Sequence, residues 1–256
     1  MSTLPPRPIG IQLYTVREAC KTDSIGTLQA IAAAGYAGVE TGGSFFGKTA
    51  REFRVQVDEL GLKICAAHVG AYDPNNRGKI VEDAKELGLT RIVSGFGRNE
   101  FESIEAVKPA VEKANDAVSF YKSQGLKVAY HNHEWEFKVP GVAEYFYDNT
   151  PGLELELDIY WATLGGAVPA DVIRRYARRV TLLHIKDGPA DASNRGAPMV
   201  AAGQGRIDIP AAIRAGEYAE VEWNIVELDA CATDMVRAVR DSYDFLTQRN
   251  LATGKR

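Results

Sequence analysis

Short apolar runs recur along the chain, and most are followed by a segment in which apolar residues return every three or four positions. The short runs are typical of buried strands, whereas the spacing of three and four is typical of amphipathic helices. The pattern predicts eight strands. They lie at residues 9–16, 36–40, 63–68 and 91–94, within 127–137, and at 153–159, 180–186 and 223–228.

Helices are predicted between these strands, several of them with a capping residue at the start and a glycine at the end. Asp23 or Ser24 can cap the first helix, which ends at Gly35. The others are predicted at 49–60, in a segment ending at 87, and at about 101–124, 142–147, 169–178, 209–214 and 233–246. A loop rich in glycine and alanine, residues 188–205, separates the seventh strand from its helix.

Strands that alternate with helices in this way are expected to run parallel, joined by right-handed crossovers. Eight such units in 256 residues fit a closed (β/α)8 TIM barrel, an α/β fold that forms a single domain over residues 1–256. A doubly wound sheet is the alternative. It would usually carry a glycine-rich phosphate loop after its first strand, and GIQLYTVRE (10–18) contains none.

Polar residues stand at the predicted carboxyl ends of the strands, where active sites of such barrels are built. Imidazole and carboxylate groups at one rim form a ligand set for a divalent transition ion. Two carboxylates and two imidazoles would complete a four-ligand site and leave other positions for substrate oxygens or water. All four histidines lie at strand ends (His68, His131, His133, His184), together with Glu40, Asp158, Lys186, Asp187, Glu227 and Asp229.

The stretch KVAYHNHEWEF (127–137) carries two of the histidines, His131 and His133, two positions apart. Residues two apart on a strand point to the same face. Both imidazoles can therefore face one cavity. The predicted ligands are His184, Asp158, Glu227 and one histidine of this pair, and the choice between the two stays open.

Several other residues near the predicted rim allow two interpretations. Lys186 in a barrel lumen is costly unless it is paired or used, so it either contacts substrate or pairs with Asp187 or Glu227. His68 is predicted to be a structural or substrate-contacting residue, and Glu40 to hydrogen-bond within the rim or to contact substrate. Two aromatic residues, Tyr14 and Trp161, belong either to the core or to the apolar wall of a sugar site.

Composition and charge restrict the class of protein. A net charge of −4 argues against non-specific binding of nucleic acid. The three cysteines are far apart and form neither a disulfide framework nor a zinc motif, which indicates a reducing compartment. Prolines stand where a secretory signal would need an apolar run, and no stretch reaches the ~20 apolar residues of a membrane span. We expect a cytoplasmic protein with no membrane attachment.

The chain resembles the xylose isomerase-like TIM barrels, a family that includes sugar phosphate isomerases/epimerases, inosose dehydratases, ketose 3-epimerases and endonuclease IV. The resemblance implies one metal ligand from each of the last four strands: His131 or His133, then Asp158, His184 and Glu227. The motifs that carry it are GIQLYTVRE (10–18), GYAGVE (35–40), HVG (68–70), YHNHEWEF (130–137), LELDIYWA (155–162), LLHIKDG (182–188), GQGRIDIPA (203–211) and IVELD (225–229).

One position departs from many relatives, which place a glutamate at the end of the fifth strand as both ligand and catalytic base. When their Glu-Asn-His is laid on residues 131–133, the glutamate falls on His131. A mechanism with two carboxylate bases is then in doubt. Glu227, His133 and Lys186 are the remaining candidates for proton transfer.

The predicted function is isomerisation or epimerisation of a sugar or polyol through an enediolate, stabilised by one divalent ion (Mn²⁺, Zn²⁺, Co²⁺ or Mg²⁺). Loss of a β-leaving group would instead give a dehydratase of inososes or 3-keto-sugars. A nuclease of the endonuclease IV type needs more histidines and a basic face, and a non-catalytic sugar-binding barrel is a further alternative. The sequence leaves room for a homo-oligomer.

Overall fold

Eight parallel strands form a barrel in the computed structural model, which describes residues 5–255. The order around the sheet is β3-β2-β1-β8-β7-β6-β5-β4. The fold prediction, a TIM barrel, is confirmed; residues 1–4 and 256 of the predicted domain lie outside the described residues. The strands are β1 Ile9–Gln12, β2 Gly38–Thr41, β3 Lys63–Ala67, β4 Arg91–Ser94, β5 Lys127–His131, β6 Glu154–Asp158, β7 Val180–Ile185 and β8 Trp223–Val226.

The join between β3 and β4 is the weakest in the described barrel. Seven pairs of neighbouring strands form ladders, whereas β3 and β4 are joined by a single bridge between His68 and Val93. The amide of Val69 also donates to the carbonyl of Val93 at 2.8 Å. The barrel is therefore nearly closed, and His68 stands at the join.

Eleven helices within residues 5–255 surround the barrel, with two 3-10 turns at Pro74–Asn76 and Arg98–Phe101. None of these helices has the length and apolar character that crossing a membrane would require. The helices are α1 Arg17–Thr22, α2 Ser24–Ala34, α3 Ala50–Glu59, α4 Arg77–Leu87, α5 Ile104–Ser123, α6 Trp135–Lys138, α7 Val142–Asp148, α8 Ile159–Leu164, α9 Pro169–Arg175, α10 Ile209–Gly216 and α11 Met235–Gln248.

The first strand is shorter than its sequence pattern predicts. Strand β1 ends at Gln12, because the amides of Thr15 and Val16 bond back to the carbonyls of Gln12 and Leu13 at 3.1 Å each. These turns lead directly into α1. The prediction of a strand over 9–16 is therefore wrong in its second half, and the other strand ends differ from the prediction by at most two residues.

Three short helices were not predicted: α1, α6 and α8. Each is too short to show the apolar repeat that reveals a helix in sequence. Helix α8 begins directly after β6 because the side chain of Asp158 caps it, accepting the amide of Trp161 at 2.8 Å. This cap brings Trp161 next to the strand ends.

Small and branched apolar side chains fill the middle of the barrel: Ala66, Val93, Ala129, Leu182 and Ile225. The space below this layer is tight. A Cβ atom at Gly38 would lie 2.8 Å from the carbonyl of Lys63 and 2.9 Å from the ring of Trp223, so β2 needs glycine at this position. The layer above it is polar and leads to the rim.

Candidate metal centre and active site

Four side chains from the last four strands converge at the rim of the barrel. Ligand atoms of His131, Asp158, His184 and Glu227 lie within 4.8 Å of one another, and all four residues are buried. Nδ1 of His184 is 2.8 Å from Oε2 of Glu227 and 3.9 Å from Oδ2 of Asp158. The strand order places these ends side by side, in the arc that the sequence predicts. We call these four residues the rim cluster.

Only one histidine of the HNH stretch enters the rim cluster. His131 is its member, whereas the ring of His133 stacks on Trp135 at 4.2 Å between centroids, on the wall of the adjacent cavity. His131 is the last residue of β5, and His133 lies beyond the strand. The strict alternation that would place both rings together therefore does not continue past His131.

Lys186 pairs with three carboxylates. Its Nζ atom lies 2.8 Å from Oε2 of Glu227, 3.1 Å from Oδ2 of Asp158 and 3.2 Å from Oδ2 of Asp229. Asp187, the other partner proposed from the sequence, forms no ion pair with Lys186 within the described residues.

The carboxylate of Asp187 instead orders the loop after β7. It accepts the backbone amides of Gly203, Gly205 and Ile207 at 2.9, 3.0 and 3.1 Å, in addition to the amide of Gly188 at 2.8 Å. These bonds fold the loop back beside β7. Lys186 therefore faces the cavity, whereas Asp187 holds the loop that follows β7.

A second layer of polar residues lies under the rim cluster, centred on Glu156. Its Oε2 atom is 2.7 Å from Nε2 of His68, 3.0 Å from Nδ1 of His131 and 3.2 Å from Nε2 of His184. These four residues also offer ligand atoms within 4.8 Å of one another. The site prediction did not include Glu156. The alternation in LELELDI (153–159) was the available signal, because it puts residues 154, 156 and 158 on one face.

Glu40 belongs to this lower layer. Its Oε2 atom lies 2.7 Å from Nε2 of His184 and accepts Nε2 of Gln12 at 2.8 Å. The residue is completely buried and is absent from the cavity wall. The structure therefore places Glu40 among the hydrogen bonds of the barrel, and its contact with substrate stays a prediction.

A cavity of about 400 Å³ opens above the rim cluster. The predicted substrate contacts Tyr14, His68 and Trp161 line it, and so do His133 and Lys186. Arg195 and Asp229, which sequence reasoning did not assign to substrate, line it as well. A larger cavity of about 510 Å³ lies beside β3 and α4, and His68 is the residue of the polar layer around Glu156 that lines it.

Electrostatics fix the charge of the buried groups. Burial lowers the pKa of His184, but the charges of Glu156, Glu40 and Glu227 outweigh it and raise the pKa well above its usual range. Burial raises the pKa of Glu227, but Lys186 and His184 outweigh it and hold the pKa below its usual range. His184 and Glu227 therefore favour their charged forms in each other's presence.

The pKa values of the two other candidates for proton transfer, Lys186 and His133, are shifted in opposite directions. Burial lowers the pKa of Lys186, but three neighbouring carboxylates outweigh it and raise the pKa above its usual range, so the side chain is an ammonium. Burial and the charges of Lys186 and Arg195 lower the pKa of His133 to about 3. His133 is therefore a neutral imidazole and a weak base at neutral pH.

The residues of the rim cluster suit a divalent ion. Oδ2 of Asp158 is buried and makes no hydrogen bond within the described residues, although the Lys186 ammonium lies 3.1 Å away. Burial raises the pKa of Asp158 to about 6, as expected for a carboxylate that lacks a sufficient counter-charge. Two imidazoles with two carboxylates are the mixed donors that Zn²⁺, Mn²⁺ and Co²⁺ accept.

Solved structures share this fold over almost the whole chain. A sugar phosphate isomerase/epimerase from Parabacteroides distasonis superposes with a TM-score of 0.80 at 25% identity, covering 99% of this chain and 98% of that one. A probable 3-DHS dehydratase from Bacillus anthracis gives a TM-score of 0.76 at 13% identity, covering 94% and 99%. The zinc-bound IolI protein gives 0.75 at 16% identity, covering 95% and 98%.

Sequence comparison gives the family. No curated protein sequence matches significantly. The family model described as the xylose isomerase-like TIM barrel matches residues 28–229, a segment that includes all four residues of the rim cluster. The resemblance expected from the sequence motifs is thereby confirmed, and the chain belongs to the xylose isomerase-like TIM-barrel family.

Proposed function

We propose that this protein is an isomerase or epimerase of a keto-sugar and that one divalent ion, held by His131, Asp158, His184 and Glu227, is required. The observation that carries the proposal is the convergence of these four ligand atoms within 4.8 Å, directly below a cavity of about 400 Å³. Structural neighbours named as a sugar phosphate isomerase/epimerase and as a zinc-bound protein support it.

A bound divalent ion would polarise a carbonyl oxygen and an adjacent hydroxyl oxygen and so acidify the C–H bond between them. Glu227 is the best placed proton acceptor. Its Oε2 atom is engaged by His184 and Lys186, whereas Oε1 makes no hydrogen bond within residues 5–255, and the residue lines the cavity. Its lowered pKa keeps it a carboxylate, the form that accepts a proton.

Lys186 and His133 take different parts in this scheme. The Lys186 ammonium can stabilise negative charge on a substrate oxygen by donating a hydrogen bond to it, because its position between Asp158 and Glu227 is fixed. The neutral His133 can hydrogen-bond a substrate hydroxyl, but its ring stacks on Trp135 and lies outside the rim cluster. Position therefore favours Glu227 over His133 as the base, because Glu227 belongs to the rim cluster and also lines the cavity.

Dehydration is the second candidate, because Lys186 can also hydrogen-bond a β-hydroxyl and stabilise it as it leaves, and a structural neighbour is named as a dehydratase. The fate of the abstracted proton distinguishes the reactions. In deuterated water an isomerase or epimerase incorporates deuterium and loses no water, whereas a dehydratase gives a product lighter by one water.

The proposal is tested on purified protein with a panel of keto-sugars and inososes and added Mn²⁺. Metal content and turnover are measured for the wild type, for Asp158→Ala and for the exposed control Asp171→Ala. We expect about one bound ion per chain in the wild type and the control, and loss of both ion and turnover in Asp158→Ala. A fully active, metal-free Asp158→Ala variant would refute the mechanism.

The same preparation separates the remaining alternatives. Sugar binding without turnover, with no metal bound, would indicate a non-catalytic barrel. Filter binding of abasic DNA at low salt would indicate a nuclease, which the net charge of −4 disfavours.

A further inference from the structure

Three cationic side chains surround one buried carboxylate beside the active-site cavity. Oε1 of Glu134 lies 2.9 Å from Nε of Arg195, 3.4 Å from Nζ of Lys138 and 3.6 Å from Nη2 of Arg98. Within residues 5–255, none of the three cations has another ion-pair partner. One negative charge thus faces three positive charges, and the group carries a surplus of positive charge.

A second acid close to Glu134 in the sequence, Glu136, does not neutralise this surplus of positive charge. Glu136 is buried, where it accepts the hydroxyl of Tyr130 at 2.6 Å and the amide of His133 at 2.9 Å. Burial raises the pKa of Glu136 to about 8, so most of its carboxyl groups are protonated at neutral pH.

Arg195 presents the surplus charge to the cavity. It lines the cavity wall, and its side chain is 45% exposed. The guanidinium carbon lies 4.5 Å from the ring centre of Trp161 and 5.4 Å from that of Trp135, so two indole rings orient the guanidinium group. Its Nε atom is held by Glu134, and its two Nη atoms have no hydrogen-bond acceptor among the described residues.

The position of Arg195 relative to the rim cluster suits the far end of a bound sugar. Nζ of Lys186, which contacts Glu227 at 2.8 Å, lies 5.4 Å from the centre of the same Trp161 ring that Arg195 contacts. Lys186 is already surrounded by three carboxylates, so its charge is largely neutralised. Arg195 is thus the cation of the cavity wall that has donors to spare.

We propose that Arg195, with Arg98 and Lys138 behind it, forms a subsite for an oxyanion, a carboxylate or a phosphate monoester, carried by the substrate at the end away from the rim cluster. The two Nη atoms of one guanidinium match two oxygens of either group. The substrate class is then an acidic keto-sugar and not a neutral polyol. Calling this ligand a substrate rests on the proposed function; the subsite itself does not.

The subsite is tested with inorganic phosphate and acetate as probes, followed by the indole N–H signals in two-dimensional NMR. The three tryptophans serve as reporters: Trp135 and Trp161 flank Arg195, whereas Trp223 begins β8 at the opposite end of the barrel. We expect phosphate to shift the two flanking signals and to leave that of Trp223 unchanged. Acetate distinguishes the two anions, because a subsite that takes carboxylates responds to it as well.

Variants assign the shifts to the guanidinium group. Arg195→Ala should weaken phosphate binding about tenfold, because it removes charge-assisted hydrogen bonds. Arg195→Lys, which keeps the charge but not the fork, should lie between Arg195→Ala and the wild type. The exposed control Arg178→Ala should bind phosphate as the wild type does. An unchanged Trp223 signal in each variant shows that the barrel is intact.

A second arm compares D-fructose, D-fructose 6-phosphate and D-fructuronate as ligands by calorimetry. We expect at least one acidic sugar to bind about tenfold more tightly than fructose, and Arg195→Ala to remove that preference. The subsite would be overturned if neither phosphate nor acetate shifted the indole signals of Trp135 and Trp161. It would also be overturned if phosphate titrated the wild type and Arg195→Ala equally. Loss of metal binding or turnover would instead defeat the proposed function and leave these shifts in place.

Discussion

The buried carboxylate of Glu156 lies 3.0 Å from Nδ1 of His131 and holds the imidazole that reaches the rim cluster. With Nδ1 occupied, Nε2 is the nitrogen left for a metal. Nε2 of His184 lies 3.2 Å from the same Glu156 oxygen, which leaves its Nδ1 toward Glu227 and Asp158. One carboxylate can therefore orient both imidazoles of the cluster, an arrangement that raises the basicity of metal-binding histidines.

Glu156→Gln should weaken divalent metal binding by about 10- to 100-fold, the usual effect of losing a carboxylate behind a ligating histidine. The amide cannot accept from both imidazoles with the strength of a carboxylate. The measurement is a Co²⁺ titration followed by its visible spectrum, which reports the ligand geometry as well as the affinity. Glu154→Gln, two residues earlier on the same face of β6, is the control and should bind Co²⁺ as the wild type does. Equal affinities for both variants would show that Glu156 does not orient the ligands.

The two histidines of the HNH stretch should behave differently when each is removed. His131→Ala should lose most of the bound metal, because its imidazole belongs to the rim cluster. His133→Ala should keep the metal and lose activity mainly through KM, because its ring lies on the cavity wall. Elemental analysis together with steady-state kinetics makes the distinction. Metal loss in His133→Ala with retention in His131→Ala would reverse the assignment.

The barrel was predictable because its signal is repeated: eight apolar runs, each with a helical segment after it, fix the number and direction of strands. The rim cluster was predictable for the same reason, since the carboxyl ends of consecutive parallel strands must meet. The choice between His131 and His133 was not predictable, because β5 ends between them and the alternation stops there.

Other parts of the site depend on contacts between distant segments. Arg195 lies in the loop after β7, and its position depends on Glu134, 61 residues earlier in the chain. The loop itself is folded by Asp187, which binds backbone amides up to 20 residues away. A local pattern of apolar and polar residues cannot predict hydrogen bonds between such distant segments. Glu156 is different: the alternation of LELELDI (153–159) is visible in the sequence, but it does not show that this acid contacts three histidines from other strands.

Stability should depend on pH through Glu136. Burial raises its pKa in the folded protein from the ordinary 4.5 to about 8, so the folded chain holds an extra proton between these pH values. The contribution of this group to stability is then complete below about pH 4.5 and is lost as the pH rises toward 8, by about 1.4 kcal/mol per pH unit. Glu136→Gln stays neutral, and its amide can still bond to Tyr130 and to the His133 amide.

Urea unfolding at pH 5 and pH 8.5 measures this effect as a difference between the wild type and Glu136→Gln. The variant should gain stability relative to the wild type as the pH rises. Glu144→Gln, an exposed change on α7, should follow the wild type at both pH values. Parallel pH profiles for the wild type and Glu136→Gln would show that Glu136 is ionised in the folded protein.

The ion pairs at the amino end of the barrel should contribute stability without affecting the metal site. Arg91 is buried there, paired with Glu154 and held by both oxygens of Glu222 at 2.8 and 3.1 Å. Arg91→Met should lower the free energy of unfolding by about 3 kcal/mol, because it removes the guanidinium that joins Glu154 and Glu222 and leaves Glu154 with Lys127 as its remaining ion-pair partner among the described residues. Because Glu222 is half-exposed, the loss of stability is at the lower end of the range for buried ion pairs.

The control variant Arg51→Met removes a 78% exposed partner of Glu86 and should change stability by less than about 0.5 kcal/mol. Denaturant unfolding gives both values, and Co²⁺ titration of Arg91→Met should match the wild type, because the middle layer of apolar side chains separates Arg91 from the rim cluster. A loss of Co²⁺ affinity in Arg91→Met would show that the two ends of the barrel are coupled.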